Sequence, residues 1–164
     1  MYVNLAHQYL IICAVIKTAY IIVNIRMKEI LTALMIWLGA NTPFSTNFDV
    51  PKVIFLPQEQ LEHMFYGDNK YEPDQLHGMY NKEVDTIYLP DDWDRREAWD
   101  MGVLVHEMVH YLQDMNEMKF ACSREMEKMA WPIQQFYLEK VHNYTWDYDK
   151  LWFLVVSSCD PQLQ

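Results

Sequence analysis

Two histidines and a glutamate share one apolar stretch of the chain at a spacing that suits metal binding. The sequence His106-Glu107-Met108-Val109-His110 is an H-E-x-x-H pattern with apolar residues on both sides. On a helix, residues four apart lie on the same face, so both imidazoles can reach one cation while Glu107 lies beside it. This arrangement is typical of a zinc ion with two histidine ligands and a carboxylate general base.

A third protein ligand is needed, because catalytic zinc usually has three and keeps one position open for water. The extended pattern H-x-x-G-x-x-H is absent, since the chain has Gln113 and Asn116 where that pattern has glycine and histidine. A carboxylate from a following segment is the other common solution. Glu117, Glu125 and Glu127 are the candidates, and their helical positions alone do not choose among them.

The expected chemistry of such a centre is hydrolysis of a peptide bond by an activated water. Zinc lowers the pKa of its bound water, and Glu107 is the expected catalytic residue that moves the proton. A further donor should stabilise the oxyanion, and acidic residues should orient the histidine rings. The oxyanion candidates are His77, Tyr80, Tyr88, His142, Tyr144 and Tyr148, and the orienting candidates are Asp100 and Asp114, although each also suits a packing or surface role.

The flanking sequence predicts an α+β domain in which a small antiparallel or mixed sheet packs on the H-E-x-x-H helix. Apolar residues surround the motif, so this helix should be buried, and Asp94 with Glu97 resembles a capping box at its start. Pro132 should kink or split the next helix, and Gly102 should leave room near the site. The predicted elements are a strand over 51–57, a helix over 58–66, a hairpin of strands 76–80 and 84–89, the central helix over 95–115, a ligand-bearing helix over 123–141, and an aromatic tail over 144–156 that packs as a helix or an irregular cover.

The N-terminal part of the chain differs in composition from the rest. Apolar runs over residues 9–23 and 30–40 are separated by a polar interruption over 24–29. Read from Met27, the second run resembles a secretory signal peptide, which is too short to cross a bilayer. A membrane anchor made from both runs, or two buried helices, are the alternatives.

Cleavage after Ala40 or Ser45 would fit this signal peptide. The sequence therefore predicts an N-terminal extension over residues 1–40 and a domain over residues 41–164. It also predicts an exported protein, periplasmic or secreted, with any membrane contact or anchoring made through residues 1–40.

Composition limits the classes of partner. The chain has 164 residues and a net charge of −10, which argues against nucleic-acid binding because phosphate backbones require a basic surface. The three cysteines form no CxxC pair, so a cysteine-based zinc site is not expected. Cys122 and Cys159 either form a disulfide in an oxidising compartment or remain buried free thiols, and the sequence leaves both possibilities open.

The sequence also resembles a known family. His106, Glu107 and His110 followed by Glu127-x-x-Ala130 are similar to the gluzincin branch of the zincin metallopeptidases, and residues 51–135 resemble short exported bacterial zincin-like proteins. The resemblance implies a minimal zincin fold, Glu127 as the third zinc ligand, and a peptide or protein substrate lying along an active-site edge strand, taken here as residues 84–89. The flanking matches are the strand Val53-Ile54-Phe55-Leu56-Pro57, the segments Thr86-Ile87-Tyr88-Leu89-Pro90 and Phe120-Ala121-Cys122, and the pair Trp131 and Gln134.

Two other classes of function fit the same residues. A non-catalytic module could keep a zinc site for stability, or an exported interaction protein could share the fold without the chemistry. Removal of the Glu107 carboxylate separates an enzyme from a zinc-binding module, and measurement of bound zinc separates both from a metal-free protein.

Overall fold

The helix that contains the H-E-x-x-H motif lies at the centre of the fold, and a small sheet and the other helices pack around it. The computed structural model describes residues 26–68 and 76–160. Helix α1 covers residues 26–41. The other elements are β1 (Lys52–Leu56), α2 (Gln58–Tyr66), β2 (Met79–Asn81), β3 (Thr86–Pro90), α3 (Ala98–Met115), a 3-10 turn (Ser123–Met126), α4 (Glu127–His142) and α5 (Lys150–Val156). The predicted α+β class is confirmed.

The sheet has the strand order β1-β3-β2, so β3 lies in the middle. It runs parallel to β1, with Lys52 opposite Thr86, and antiparallel to β2, with Met79 opposite Tyr88. The predicted hairpin of β2 and β3 is therefore confirmed, but the interpretation of residues 84–89 as an edge strand is wrong. Ile87 and Leu89 are fully buried, because the sheet face that they share packs in the hydrophobic core.

The start of α3 also differs from the prediction. The helix begins at Ala98 instead of residue 95, and Glu97 at its N-cap makes no side-chain capping bond. The Asp94 carboxylate instead accepts hydrogen bonds from Arg96, while its own backbone amide donates to Asp100. The expected capping box is thus replaced by an Asp94–Arg96 ion pair in the preceding loop.

Close packing of α3 against α4 places the two helices that carry the site. A Cβ atom on Gly102 would lie 2.8 Å from Leu138 Cδ2, so glycine allows this approach. The expectation that Gly102 leaves room near the site is therefore wrong, because the residue faces the neighbouring helix. Pro132 lies inside α4, which continues to His142, and the 3-10 turn before Glu127 is where the segment changes geometry.

Helix α1 is part of the same hydrophobic core as α3. Five of its side chains are buried there, namely Met27, Leu31, Leu34, Met35 and Leu38. The structure thus joins the end of the predicted extension to the core of the predicted domain, and cleavage after Ala40 would remove these side chains. Among the described helices, none combines the length and apolar character needed to cross a bilayer. The apolar run over residues 9–23 lies outside the described residues.

The aromatic tail ends in α5 and is joined covalently to the turn before α4. Asp149 caps α5 by accepting hydrogen bonds from the backbone amides of Leu151 and Trp152. Cys159 forms a disulfide with Cys122, which answers the question that the sequence left open. The tail is therefore held at both of its ends.

A test of α1 as a core element compares two of its residues. Leu38 is fully buried, so Leu38→Ala should lower the free energy of unfolding by about 2–5 kcal/mol through lost contacts and a cavity. Ile36 is 70% exposed, and Ile36→Ala should change it by less than about 0.5 kcal/mol. Denaturant unfolding measures both, and equally small effects would show that α1 is not part of the folded core.

Candidate metal centre

His106 and His110 bring two ring nitrogens together on one face of α3. Their Nε2 atoms lie 2.9 Å apart, and the two rings meet edge to face. Both side chains are mostly buried, with 15% and 13% of their surfaces exposed. Because the two histidines are one helical turn apart, both ring nitrogens are directed at one point.

Glu127 brings a carboxylate to the same point from the first residue of α4. Its Oε2 lies 3.2 Å from His106 Nε2, and its Oε1 lies 3.2 Å from His110 Nε2. One ligand atom from each of the three residues lies within 4.8 Å of the others, so the group could hold a metal ion. The first turn of a helix also favours a negative charge at this position.

The two competing glutamates lie elsewhere. Glu125 accepts hydrogen bonds from the Ala121 backbone amide at 2.8 Å and from Lys128 Nζ at 3.1 Å. Glu117 is exposed just after the end of α3, where it adopts a positive φ of 51°. Of the three candidates, Glu127 is the one that the structure brings to the histidines.

Two buried glutamines orient the histidine rings. Gln134 Oε1 lies 3.0 Å from His106 Nδ1, and Gln113 Oε1 lies 2.9 Å from His110 Nδ1. An amide oxygen can only accept, so each Nδ1 donates its proton to a glutamine, and in the neutral ring each Nε2 keeps a lone pair directed at the point shared with Glu127. Gln113 is itself held by donating from Nε2 to the Met126 carbonyl oxygen.

These glutamines were missed as orienting residues in the sequence. In the sequence, Gln113 serves only to exclude the extended H-x-x-G-x-x-H pattern, and the orienting candidates are Asp100 and Asp114, which also suit a surface role. The structure shows Asp100 accepting from the Asp94 amide and Asp114 accepting from the Tyr80 hydroxyl. The available signal was a polar amide within the apolar face of a helix, which requires a partner when buried.

Electrostatics shows that the three converging groups need a positive charge between them. Burial alone would lower the pKa of His110, but the hydrogen bond and charge of Glu127 outweigh it and raise that pKa to about 9. Burial would raise the pKa of Glu127, yet the two histidines beside its carboxylate, when protonated, hold that pKa well below its usual range. Glu127 Oε2 is also buried with no well-aligned hydrogen-bond donor among the described residues. A proton or a divalent cation can supply the missing charge.

Glu107 is buried beside the histidine pair, under the start of β2. It is 6% exposed, and a Cβ atom on Gly78 would lie 3.2 Å from its Oε1. The Tyr80 backbone amide also donates a hydrogen bond to its carboxylate. Burial raises the pKa of Glu107, while the charges of His106 and His110 act in the opposite direction. The carboxylate is thus fixed in place with a raised affinity for a proton.

Cavities open on both sides of this centre. One of about 560 Å³ reaches His106 and Glu107, and one of about 1180 Å³ reaches His110 and Glu127. Leu76 and Trp131 line both, so the two cavities adjoin across the centre. An extended molecule can therefore approach the centre from either side.

Two of the six oxyanion candidates line these cavities. His77 lines the smaller one, and Tyr80 lines the larger one. The Tyr80 hydroxyl lies within hydrogen-bonding distance of both Asp85 and Asp114. Its proton is therefore already donated to these carboxylates. The others lie elsewhere: Tyr88 in β3, His142 against Tyr137, Tyr144 on the surface after α4, and Tyr148 against Trp131.

Comparison with known proteins gives one family. A family model described as Domain of unknown function (DUF6647) matches residues 24–163, which include α1, the centre and the tail. Neither the curated proteins nor the solved structures contain a match to the chain.

Separate replacement of Glu127 and Glu125 by glutamine tests which of the two carboxylates binds the metal. Zinc at about 100 times its dissociation constant should stabilise the wild type by about 2.7 kcal/mol, and Glu127→Gln should remove most of that gain. Glu125→Gln should retain it, because Glu125 is bonded to Ala121 and Lys128. Thermal unfolding with zinc and with a chelator measures the gain, and elemental analysis counts the bound metal. Equal gains in the two variants would exclude Glu127 as a ligand.

Proposed function

The chain belongs to the family described as Domain of unknown function (DUF6647), and from its site we propose that it is a zinc-dependent peptidase. The observation that carries the proposal is the convergence of His106 Nε2, His110 Nε2 and the Glu127 carboxylate on one point. Glu107 lies beside that point and lines the adjoining cavity. Ligands and a general base are therefore available within one cleft.

The donor set fits zinc. His106, His110 and Glu127 would hold the ion, and two imidazole nitrogens with one carboxylate form a common catalytic zinc set. The buried Oε2 of Glu127 lacks a well-aligned donor among the described residues, which a cation would remedy. Gln113 and Gln134 keep both Nε2 lone pairs available for coordination. A bound zinc ion would supply an acidified water and polarise the scissile carbonyl group.

Glu107 performs the proton transfer in this proposal. Its carboxylate accepts a proton from the attacking water and later donates it to the nitrogen of the leaving group. Burial raises its pKa, which brings a carboxylate closer to the range in which it can both accept and return a proton. Gly78 and the Tyr80 amide restrict its position, so less motion is needed to reach the reacting water.

Strand β2 is the proposed guide for the substrate backbone. Among the described residues, β2 pairs with β3 alone, which leaves its other edge open. Met79, Tyr80 and Asn81 also line the larger cavity beside His110. An extended peptide can add to such an edge through backbone hydrogen bonds, which favours a peptide or unfolded protein as substrate.

Export remains part of the proposal, and the disulfide supports it. Disulfides persist in oxidising compartments and are rare in the cytosol, so the Cys122–Cys159 bond favours a periplasmic or secreted protein. The buried side chains of α1 add a condition, since processing that preserves the core must leave this helix attached.

Replacement of the general base tests the enzymatic proposal. Glu107→Gln should reduce hydrolysis of unfolded casein by about 100-fold to 10,000-fold, because the amide cannot accept the proton. Zinc content should stay unchanged, since Glu107 is not one of the three ligands. The exposed Glu117→Gln serves as the matched control and should retain activity.

The measurement is mass spectrometry of the peptides released by zinc-loaded protein, with zinc counted in each variant. Unchanged hydrolysis in Glu107→Gln would refute the assigned role. A wild type that holds zinc but cuts no peptide would instead identify a non-catalytic zinc-binding module.

A further inference from the structure

Four tryptophans line the cavity that contains Glu107. They are Trp99, Trp131, Trp146 and Trp152, and the cavity measures about 560 Å³. None of the four is fully buried, and Trp152 is 58% exposed. An indole face that lines a cavity leaves apolar surface available to a ligand. Their shared exposure to one cavity suggests a binding surface.

Three of the four rings, those of Trp99, Trp131 and Trp146, form a connected wall. Trp146 meets Trp99 edge to face at 5.2 Å and lies tilted against Trp131, also at 5.2 Å. His77 extends this wall by packing edge to face on Trp99 at 5.5 Å. These separations are within the range of favourable aromatic contacts, so the wall is held in one arrangement.

Two of the four rings come from the C-terminal tail. Trp99 lies on α3 and Trp131 on α4, whereas Trp146 and Trp152 belong to the segment after α4. Tyr148 and Phe153 anchor that segment by packing on Trp131 at 5.1 and 5.4 Å. The disulfide at Cys159 fixes its end. The tail therefore completes the cavity.

The chemistry of the wall favours an apolar occupant. Among the described lining residues, the only ionisable groups are His77, His106 and Glu107, and the last two already belong to the centre. No further charge is therefore available there to pair with a charged side chain. Flat indole faces bind aromatic and large aliphatic groups through dispersion and removal of apolar surface from water.

We propose that this tryptophan pocket binds a large apolar side chain, preferably aromatic, of the substrate residue adjoining the bond that is cut. The assignment of the pocket to a substrate residue rests on the proposed peptidase function. Trp146 and Trp152 then set specificity, although they lie far along the chain from the H-E-x-x-H motif.

A matched pair of variants on α5 tests the pocket. Trp152 lines the cavity, whereas its neighbour Leu151 is 73% exposed and does not. Trp152→Ala should weaken binding of N-acetyl-phenylalaninamide to the zinc-loaded full chain by about threefold to tenfold, the range of one lost aromatic contact. Leu151→Ala should leave the affinity unchanged. Ligand-observed NMR titration measures both, and unchanged unfolding temperatures confirm that the variants are folded.

Two further probes decide what kind of group the pocket takes. N-acetylglycinamide lacks the side chain and should bind at least about threefold more weakly to the wild type. A trimer of N-acetylglucosamine should not compete, although sugars also stack on indoles. Equal affinity for the phenylalanine and glycine amides would overturn the proposal. Equal effects of the two α5 variants, or preferential binding of the sugar, would do so as well.

The cleavage products separate this proposal from the peptidase proposal. In a mixed peptide library, kcat/KM should favour an aromatic over an alanine residue at one position beside the cut, and Trp152→Ala should reduce that preference. Aromatic binding without hydrolysis would refute the peptidase and leave a pocket for apolar groups. Hydrolysis with neither aromatic binding nor aromatic preference would refute the pocket and leave the peptidase.

Discussion

The convergence of two imidazole nitrogens and a carboxylate is the constraint on which the rest of the structure depends. Their lone pairs face one another at 2.9–3.2 Å, which is unfavourable without a positive charge between them. Close approach of α3 and α4 at Gly102 brings Glu127 into range. Gln113 and Gln134 then prevent the rings from turning away. Helix packing, ring orientation and charge balance thus all act at the place where these three groups meet.

The elements that could be predicted from the sequence are those fixed by local rules. The H-E-x-x-H spacing places His106 and His110 on one helical face whatever surrounds them, and α2 is bounded by Pro57 and Gly67. The sheet order could not be read in this way, because the apolar segment of β3 fits an edge or a middle position equally well. The contact of Gln134 could not be predicted from the sequence either, because its partner His106 lies on another helix. The features that could not be predicted are contacts between segments that lie far apart in the sequence.

Helix α1 shows that composition and periodicity can support different interpretations of the same segment. A short apolar run after a lysine suggests a signal peptide, yet the buried residues Met27, Leu31, Leu34 and Leu38 recur every three or four positions. Ile36 between them is exposed, which is the pattern of an amphipathic helix with one face in a core. A signal peptide needs overall apolarity and no such face. The two interpretations depend on how the apolar residues are spaced more than on how many there are.

The disulfide between Cys122 and Cys159 encloses α4 and the tail in one covalent loop. Glu127 lies within this loop, near one end of it, and the tail tryptophans lie near the other. A protease that nicked the exposed connection between α4 and α5 would leave both fragments bound to each other. Because the released end could not diffuse away, its effective concentration at the cleft would stay high and the aromatic wall could re-form. Damage at that connection would therefore leave the centre and the tail within one covalently joined molecule.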